Sequence, residues 1–493
     1  MDKLLPEKVE SDFTVSYDGI ATGTVPAKVA VHDPSIVKDG DQYYIFGTHM
    51  TAAVSDNLKE WSFLGNGYSD NNPVYGELMA DSRVFEYTGK GDSIVPTDDG
   101  GVHLWAPDVF YNETTGLYYL YYCTSSTWNA STLEFATAES INGPYEFGGN
   151  LIYSGLTPDT LEYTDVYDYV TEDYALENYV KGSEYNFDEY PNALDPTIVT
   201  DKDGKLWMVY GSWSGGIFIL EIDETTGQVI HPEADPDNLV DAYFGKKLLG
   251  GGHKSIEGPY ILYDPDSDYY YLYVSYGGLV ADGGYQIRVF RSKEINGDYV
   301  DMNDQTPFIS SGNHAYFGLK LSGNYYLPSL TNAYKATGHN SAFIDDDGKK
   351  YIAYHTRFDG KGEVFSDRVK QYFLNEEGWP CMLPYQTDGE TISESGYSKK
   401  DVAGEYYFIN QGTNIDNVIA EPEMIELTDR GNVYSKDGQI GTWTTKNGTY
   451  YMTITMNDQT YSGVFCKQLD EAGTEVTVFT AVGQNESVWG VKY

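Results

Sequence analysis

Short apolar stretches alternate with acidic or glycine turns along much of the chain, and five segments repeat one form. Each passes from a polar residue into a short apolar strand, then a turn, then an aromatic strand. They are HDPSIVKDGDQYYIFGTH from His32, APDVFYNETTGLYYLYYCTS from Ala106 and DPTIVTDKDGKLWMVYGS from Asp195, then EGPYILYDPDSDYYYLYVSY from Glu257 and HNSAFIDDDGKKYIAYHTRF from His339. Each predicts a β-hairpin around a Gly or Asp turn. A recurrence of roughly 60–90 residues suits large four-stranded propeller blades carrying insertions. Near Asp388 the pattern stops, and GEYYFIN, IGTWTTKNGTYYMTIT and YSGVFCKQ predict a separate small β-barrel or β-sandwich. The expected fold is all-β: a leader over residues 1–25, a five-bladed β-propeller over 26–388 and a C-terminal β-domain over 389–493.

Position within the repeats directs attention to particular acids. Counted back from the aromatic strand, Asp195, Glu257 and His339 share one place, with Trp207, Tyr269 and Tyr351 each twelve residues later. Asp33 joins them from its Asp-Pro side with a turn two residues shorter, a change that preserves strand alternation. Asp108 is offset by one because Pro107 takes the equivalent place, and alternation aims it the other way. Equivalent positions in a propeller surround one axis, so Asp33, Asp195, Glu257 and His339 are expected to converge at one mouth of the channel. A single Asp before Pro commonly just opens a turn, but four ionisable groups in register are hard to explain by turns. The DPDSD run at Asp264–Asp268 and the Asp345–Asp347 triplet lack the rest of a calcium loop and read as hairpin turns. Residues 154–192, acidic and rich in tyrosine, read as an insertion that is either a groove wall or a solvated loop. Trp105, Trp128 and Trp213 could stack on sugar rings or fill the propeller core.

Composition narrows the partners. Glycine and tyrosine, at 52 and 47 residues, favour turns and strands. Acidic residues outnumber basic ones 75 to 31, for a net charge of −44. Such a field repels nucleic acid, anionic membranes and bare polygalacturonate, and is compatible with a neutral substrate; it would equally keep a secreted protein soluble. Cys123, Cys381 and Cys466 are odd in number and widely spaced, with no metal motif or disulfide framework. No apolar run approaches the ~18 residues of a membrane span. The opening MDKLLPEKVE lacks a signal peptide's apolar stretch, which fits either a cytoplasmic protein or one whose signal has been removed.

Taken in order, HDPS at His32–Ser35, LWAPDVFY at Leu104–Tyr111, DPTIV at Asp195–Val199 and SIEGPY at Ser255–Tyr260 resemble the motifs of glycoside hydrolase family 43. YGSWSGGIFILEID at Tyr210–Asp223, GHNS at Gly338–Ser341 and the extra C-terminal domain are similar to its two-domain endo-α-1,5-L-arabinanases. The resemblance implies Asp33 as general base, Glu257 as general acid and Asp195 as the group that orients the acid and tunes its pKa. It implies a substrate contact at Trp105 and a central calcium ion on His339; His32 and Trp213 are further candidates for substrate binding. From the residues alone His339 is an acid–base or hydrogen-bonding group, since calcium prefers oxygen. Inversion, also implied, would set Asp33 and Glu257 roughly 6.5–9.5 Å apart with a water between. The last blade departs from the family pattern, with Lys370 where histidine is expected. The expected function is cleavage of internal α-1,5-L-arabinofuranosyl linkages in plant cell-wall arabinan, by an extracellular or cell-surface monomer. Rival readings are an exo-acting α-L-arabinofuranosidase or β-xylosidase, and a propeller that binds glycan without cleaving it. Three converging carboxylates argue against the last.

Overall fold

The computed structural model describes residues 9–68, 71–88, 103–125, 130–308 and 312–493. Trp128 lies outside them. Five antiparallel sheets, each from one contiguous segment, follow in chain order, the third enlarged by short extra strands. Their innermost strands are Ser35–Asp39, His103–Asn112, Thr197–Thr200, Ile256–Asp264 and Tyr334–Ile344. Each lies beside the innermost strand of the next blade, and the fifth returns to the first, closing a propeller. Apolar side chains of facing sheets fill the space between blades: Val209 and Ile219 of blade three meet Leu272 and Val274 of blade four. Many tyrosines are spent this way, with Tyr121, Tyr122, Tyr210, Tyr270 and Tyr271 buried. Their length spans the gap between blades, and their rings carry large apolar area.

The seam between blades one and five is sealed by side chains. Ser341 Oγ accepts from the Ile36 N–H at 3.1 Å and donates to the Pro34 carbonyl at 2.7 Å. The buried Asp367 carboxylate accepts from the Val31 N–H at 2.9 Å. These bonds satisfy backbone groups that burial would otherwise leave unpaired.

A ring of left-handed residues marks the mouth of the channel. Asp33, Ala106, Asp195, Gly258 and His339 have φ of 56°, 40°, 57°, 58° and 48°. The first four each precede proline, and His339 precedes Asn340. This is a strained conformation for non-glycine residues, especially before proline. The ring corrects the sequence alignment: the equivalent of Asp33 in blade four is Gly258, and Glu257 stands one residue earlier. Thr197 faces Val209 and Ser341 faces Ala353, but Tyr260 faces Tyr273, so the blade-four hairpin is one residue longer. A bulge follows Glu257 as one follows Trp105 in blade two and Gly338 in blade five, so the extra residue lies in the turn beyond it and Glu257 stays at the mouth. Asp108 does not join the acids; it bonds the Ser35 hydroxyl of blade one and the Ile198 N–H of blade three, the latter at 2.7 Å. Burial pushes its pKa up to about 6 against these two bonds.

The acidic insertion is a wall. Its helix Glu172–Asn178 is capped by Thr171 and carries acids in its first turn. Leu161, Val166, Ala175, Tyr179 and Tyr185 pack it onto blades two and three. DPDSD and the Asp345–Asp347 triplet are turns, as expected: Asp264 Oδ1 accepts from the N–H groups of Asp266 and Ser267, and the Gly348 N–H bonds the Asp345 carbonyl.

The C-terminal domain is a closed eight-stranded barrel, its first strand Gly404–Asn410 pairing with its last, Glu486–Lys492. Alternation gives some strands two buried faces. Phe465, Phe479 and Val488 point into the barrel, while Cys466, Val478 and Trp489 pack on Tyr325, Leu327 and Met382 of the propeller. Lys370 belongs to this seam, fully buried, with Nζ 2.7 Å from the Tyr325 hydroxyl and over the Trp489 ring. The departure at Lys370 therefore concerns domain packing. Part of the leader is tied to the barrel: the N–H groups of Glu10 and Ser11 each bond Glu426 at 2.8 Å, and Tyr17 stacks on Tyr407.

Candidate active site

A cleft of about 660 Å³ opens at the mouth of the propeller. His32, Asp33, Trp105, Asp195, Trp213, Glu257 and His339 all line it, so the structure brings together the site residues read from sequence apart from Trp128, which lies outside the described residues. Its walls are mostly apolar, with the acids grouped at one place.

Asp33 sits among three imidazoles. Its Oδ1 lies 2.8 Å from His32 Nδ1, 3.0 Å from His339 Nδ1 and 3.8 Å from His355 Nδ1. The Thr48 hydroxyl donates to Oδ2 and accepts from the Ala106 N–H at 2.9 Å, linking blades one and two. Burial alone would raise the pKa of Asp33; the charges of His32 and His339 and the hydrogen bond from His32 override it and hold the carboxyl well below its ordinary value. His355 is fully buried, accepts the Asp33 N–H at 3.3 Å and is held neutral chiefly by burial. The His32 ring stacks on His355 with centroids 4.0 Å apart. His32 therefore braces Asp33 as well as lining the cleft.

Asp195 is buried and accepts the Gly258 N–H at 3.1 Å. It thereby fixes the backbone next to Glu257, which suits the orienting role inferred from sequence. Burial pushes its pKa up to about 7, opposed by His339 and reinforced by Glu257 and Asp33. His339 is pulled the other way: burial would lower its pKa, but Asp33, Asp195 and Glu257 raise it.

Glu257 accepts three hydrogen bonds. Tyr285 OH donates to Oε1 at 2.7 Å; Trp213 Nε1 and Ser212 Oγ donate to Oε2 at 2.7 and 3.2 Å. Trp213, proposed from sequence as a stacking platform or core residue, commits its indole N–H to this acid while one side of its ring meets His253. Trp105 is half-buried, its ring edge-on to His49 at 5.5 Å, and faces the cleft.

Sequence reasoning missed several contributors. Thr48, Ser212, Tyr285 and His355 hold the acids, while Phe187, His253, Leu279 and Val280 shape the cleft. The signal for His355 was present: it lies in KYIAYHTRF, where a lone histidine interrupts an apolar strand. Phe187 comes from the acidic insertion, which thus forms one side of the cleft.

Comparison with known proteins agrees with this geometry. A model described as glycosyl hydrolases family 43 matches residues 26–188 and 177–380, and one for a C-terminal lipocalin-like domain matches residues 384–490. The chain is 38% identical to an extracellular endo-α-(1→5)-L-arabinanase of Thermotoga petrophila, covering 94% of this chain and 93% of that protein. It is 37% identical to extracellular endo-α-(1→5)-L-arabinanase 2 of Bacillus subtilis, with 97% and 96% covered. The crystal structure of the Thermotoga petrophila endo-1,5-α-L-arabinanase superposes with a TM-score of 0.81 at 38% identity, covering 96% of this chain and 100% of that one. With a family model spanning the whole propeller and relatives matched nearly end to end, the chain belongs to glycosyl hydrolases family 43.

Proposed function

We propose that this protein is an extracellular endo-α-1,5-L-arabinanase that hydrolyses internal linkages of arabinan with inversion. The observation that carries the reading is the pairing of Asp33 and Glu257 in one cleft with opposite surroundings. Asp33 is held ionised by imidazoles; Glu257 is held by neutral donors beside Asp195. Inverting hydrolysis needs one carboxylate as base and one carboxylic acid as proton donor. Glu257 protonates the departing glycosidic oxygen as its bond to the anomeric carbon breaks. Asp33 takes a proton from the water that attacks the opposite face. Asp195 keeps the Glu257 segment in place through the Gly258 N–H. The extracellular reading draws on the naming of both relatives, and no described helix is long and apolar enough to cross a membrane. Chromatography of products from linear α-1,5-arabinan tests the endo reading. A ladder of short oligosaccharides at early times is expected; arabinose alone from the first time point would replace it with an exo reading.

The same well suits a divalent cation in charge, since His339 faces Asp33, Asp195 and Glu257. Its nearest donor group is less suited to calcium: His32, Asp33 and His355 offer ligand atoms within 4.8 Å of one another, and two of the three are nitrogens. A calcium ion at His339 would accordingly take most of its oxygen ligands from water or the carboxylates, and would favour the ionised form of Asp33. Adding calcium to chelator-treated protein is expected to raise the Tm, and His339→Ala to abolish that rise. An unchanged Tm in the wild type would count against the ion.

A further inference from the structure

The two oxygens of Glu257 have chemically different neighbours. Oε2 faces the Trp213 indole N–H and the Ser212 hydroxyl; Oε1 faces the Tyr285 hydroxyl. An indole N–H only donates, whereas a phenol both donates and accepts. Oε2 is therefore pinned as an acceptor, and a proton placed on it would point at another donor. The Ser212 hydroxyl at 3.2 Å could turn to accept, but the indole N–H at 2.7 Å cannot, so Oε1 is the oxygen free of an obligate donor, and its Tyr285 partner can stay bonded whether or not it is protonated.

The fold holds both partners in place. Tyr285 is fully buried, its ring stacked against His355 at 5.9 Å. Gly338 makes room for it: a Cβ there would lie 2.2 Å from the Tyr285 ring. Trp213 is held at φ 50° and the following Ser214 at 31°. The Trp213 N–H bonds the Ile256 carbonyl at 2.8 Å, and its carbonyl accepts the Gly216 N–H at 2.9 Å. Strained backbone that is over-determined by its surroundings is characteristic of functional sites.

We propose that Tyr285 and Trp213 are positioning residues that place the transferable proton of Glu257 on Oε1. The inference rests on Glu257 being the general acid. Before reaction, Oε1–H donates to the Tyr285 oxygen. It then turns to the glycosidic oxygen, the Oε1–H bond breaks as the new O–H bond forms, and the electron pair of the broken C–O bond stays on the departing sugar. Glu257 is left as a carboxylate that accepts from Tyr285, Trp213 and Ser212 together.

Leaving-group dependence tests this. A sugar leaving group needs protonation, while a nitrophenolate departs with little help. Tyr285→Phe is therefore expected to lower kcat on linear arabinan by about 10–100-fold with KM little changed, and Trp213→Phe to lower kcat by a similar factor. On a nitrophenyl α-1,5-arabino-oligosaccharide the same variants should lose less than about threefold, because that step bypasses general-acid catalysis. Equal losses of Tyr285→Phe on both substrates would reduce Tyr285 to a structural role and overturn the inference, as would full activity of that variant on arabinan. Glu257→Ala serves as the control. If it showed equal losses on both substrates, the general-acid reading itself would fail; if only Glu257→Ala showed the dependence, the positioning inference alone would fail.

Discussion

Glu257→Gln is expected to lower kcat on linear arabinan by at least ~10³-fold while arabino-oligosaccharide binding stays close to that of the wild type. The amide matches the carboxyl in size, and its oxygen can still accept the bonds of Trp213 and Ser212 while its NH₂ faces the Tyr285 hydroxyl. What it cannot do is give up a proton to the leaving oxygen. The amide's NH₂ must also face a hydroxyl or an indole N–H, so the side chain is expected to place its oxygen toward Trp213, the strict donor. Turnover by stopped assay and binding by calorimetry separate the two effects. Near-normal turnover in a correctly folded variant would remove Glu257 from the chemistry.

Asp33→Asn is expected to cost a comparable factor, on the order of 10²–10⁴ in kcat. The choice of asparagine matters because Asp33 sits at φ 56°, a conformation asparagine tolerates better than most residues. The backbone ring at the channel mouth should survive, and with it the Thr48 bond and the contacts to His32 and His339. Loss of activity with an unchanged Tm would then report loss of the base. A parallel fall in Tm would instead point to collapse of the imidazole cluster, which loses the carboxylate that lies within 4 Å of all three rings.

How much of this was legible beforehand depended on how local each feature was. The blades were legible because every inner hairpin carries its own signal, as in DPTIVTDKDGKLWMVYGS, where an apolar strand, an Asp-Gly turn and an aromatic strand lie side by side. The barrel was legible only as a β-domain. Its closure depends on pairing Tyr407 with Val491, a contact far apart in sequence. The register of Glu257 slipped by one because it was counted back from the aromatic strand across the longer turn of blade four; Pro259, which follows Gly258 as Pro34 follows Asp33, carried the register that the strand pairing shows. Asp33 and Asp195 were found because each carries its proline. Tyr285 was not, because it stands near the start of a third strand, in GGYQIRV, where nothing repeats and its hydroxyl meets Glu257 only after the blade has folded. Trp213 was selected as a large aromatic near glycines, but its bond to the acid depends on a left-handed turn that the sequence GSWSGG permits without announcing.

The central claim, that Asp33 and Glu257 act as base and acid on opposite faces of an α-arabinofuranoside, is tested most directly by the stereochemistry of the first product. Proton NMR of a short α-1,5-arabino-oligosaccharide, recorded from the moment wild-type enzyme is added, follows the new reducing end before mutarotation. The account predicts that the β-anomer appears first and the α-anomer only as mutarotation proceeds. An α-anomer formed first would mean retention, with a carboxylate attacking the sugar directly, and the assignment of Asp33 as a base acting through water would be wrong.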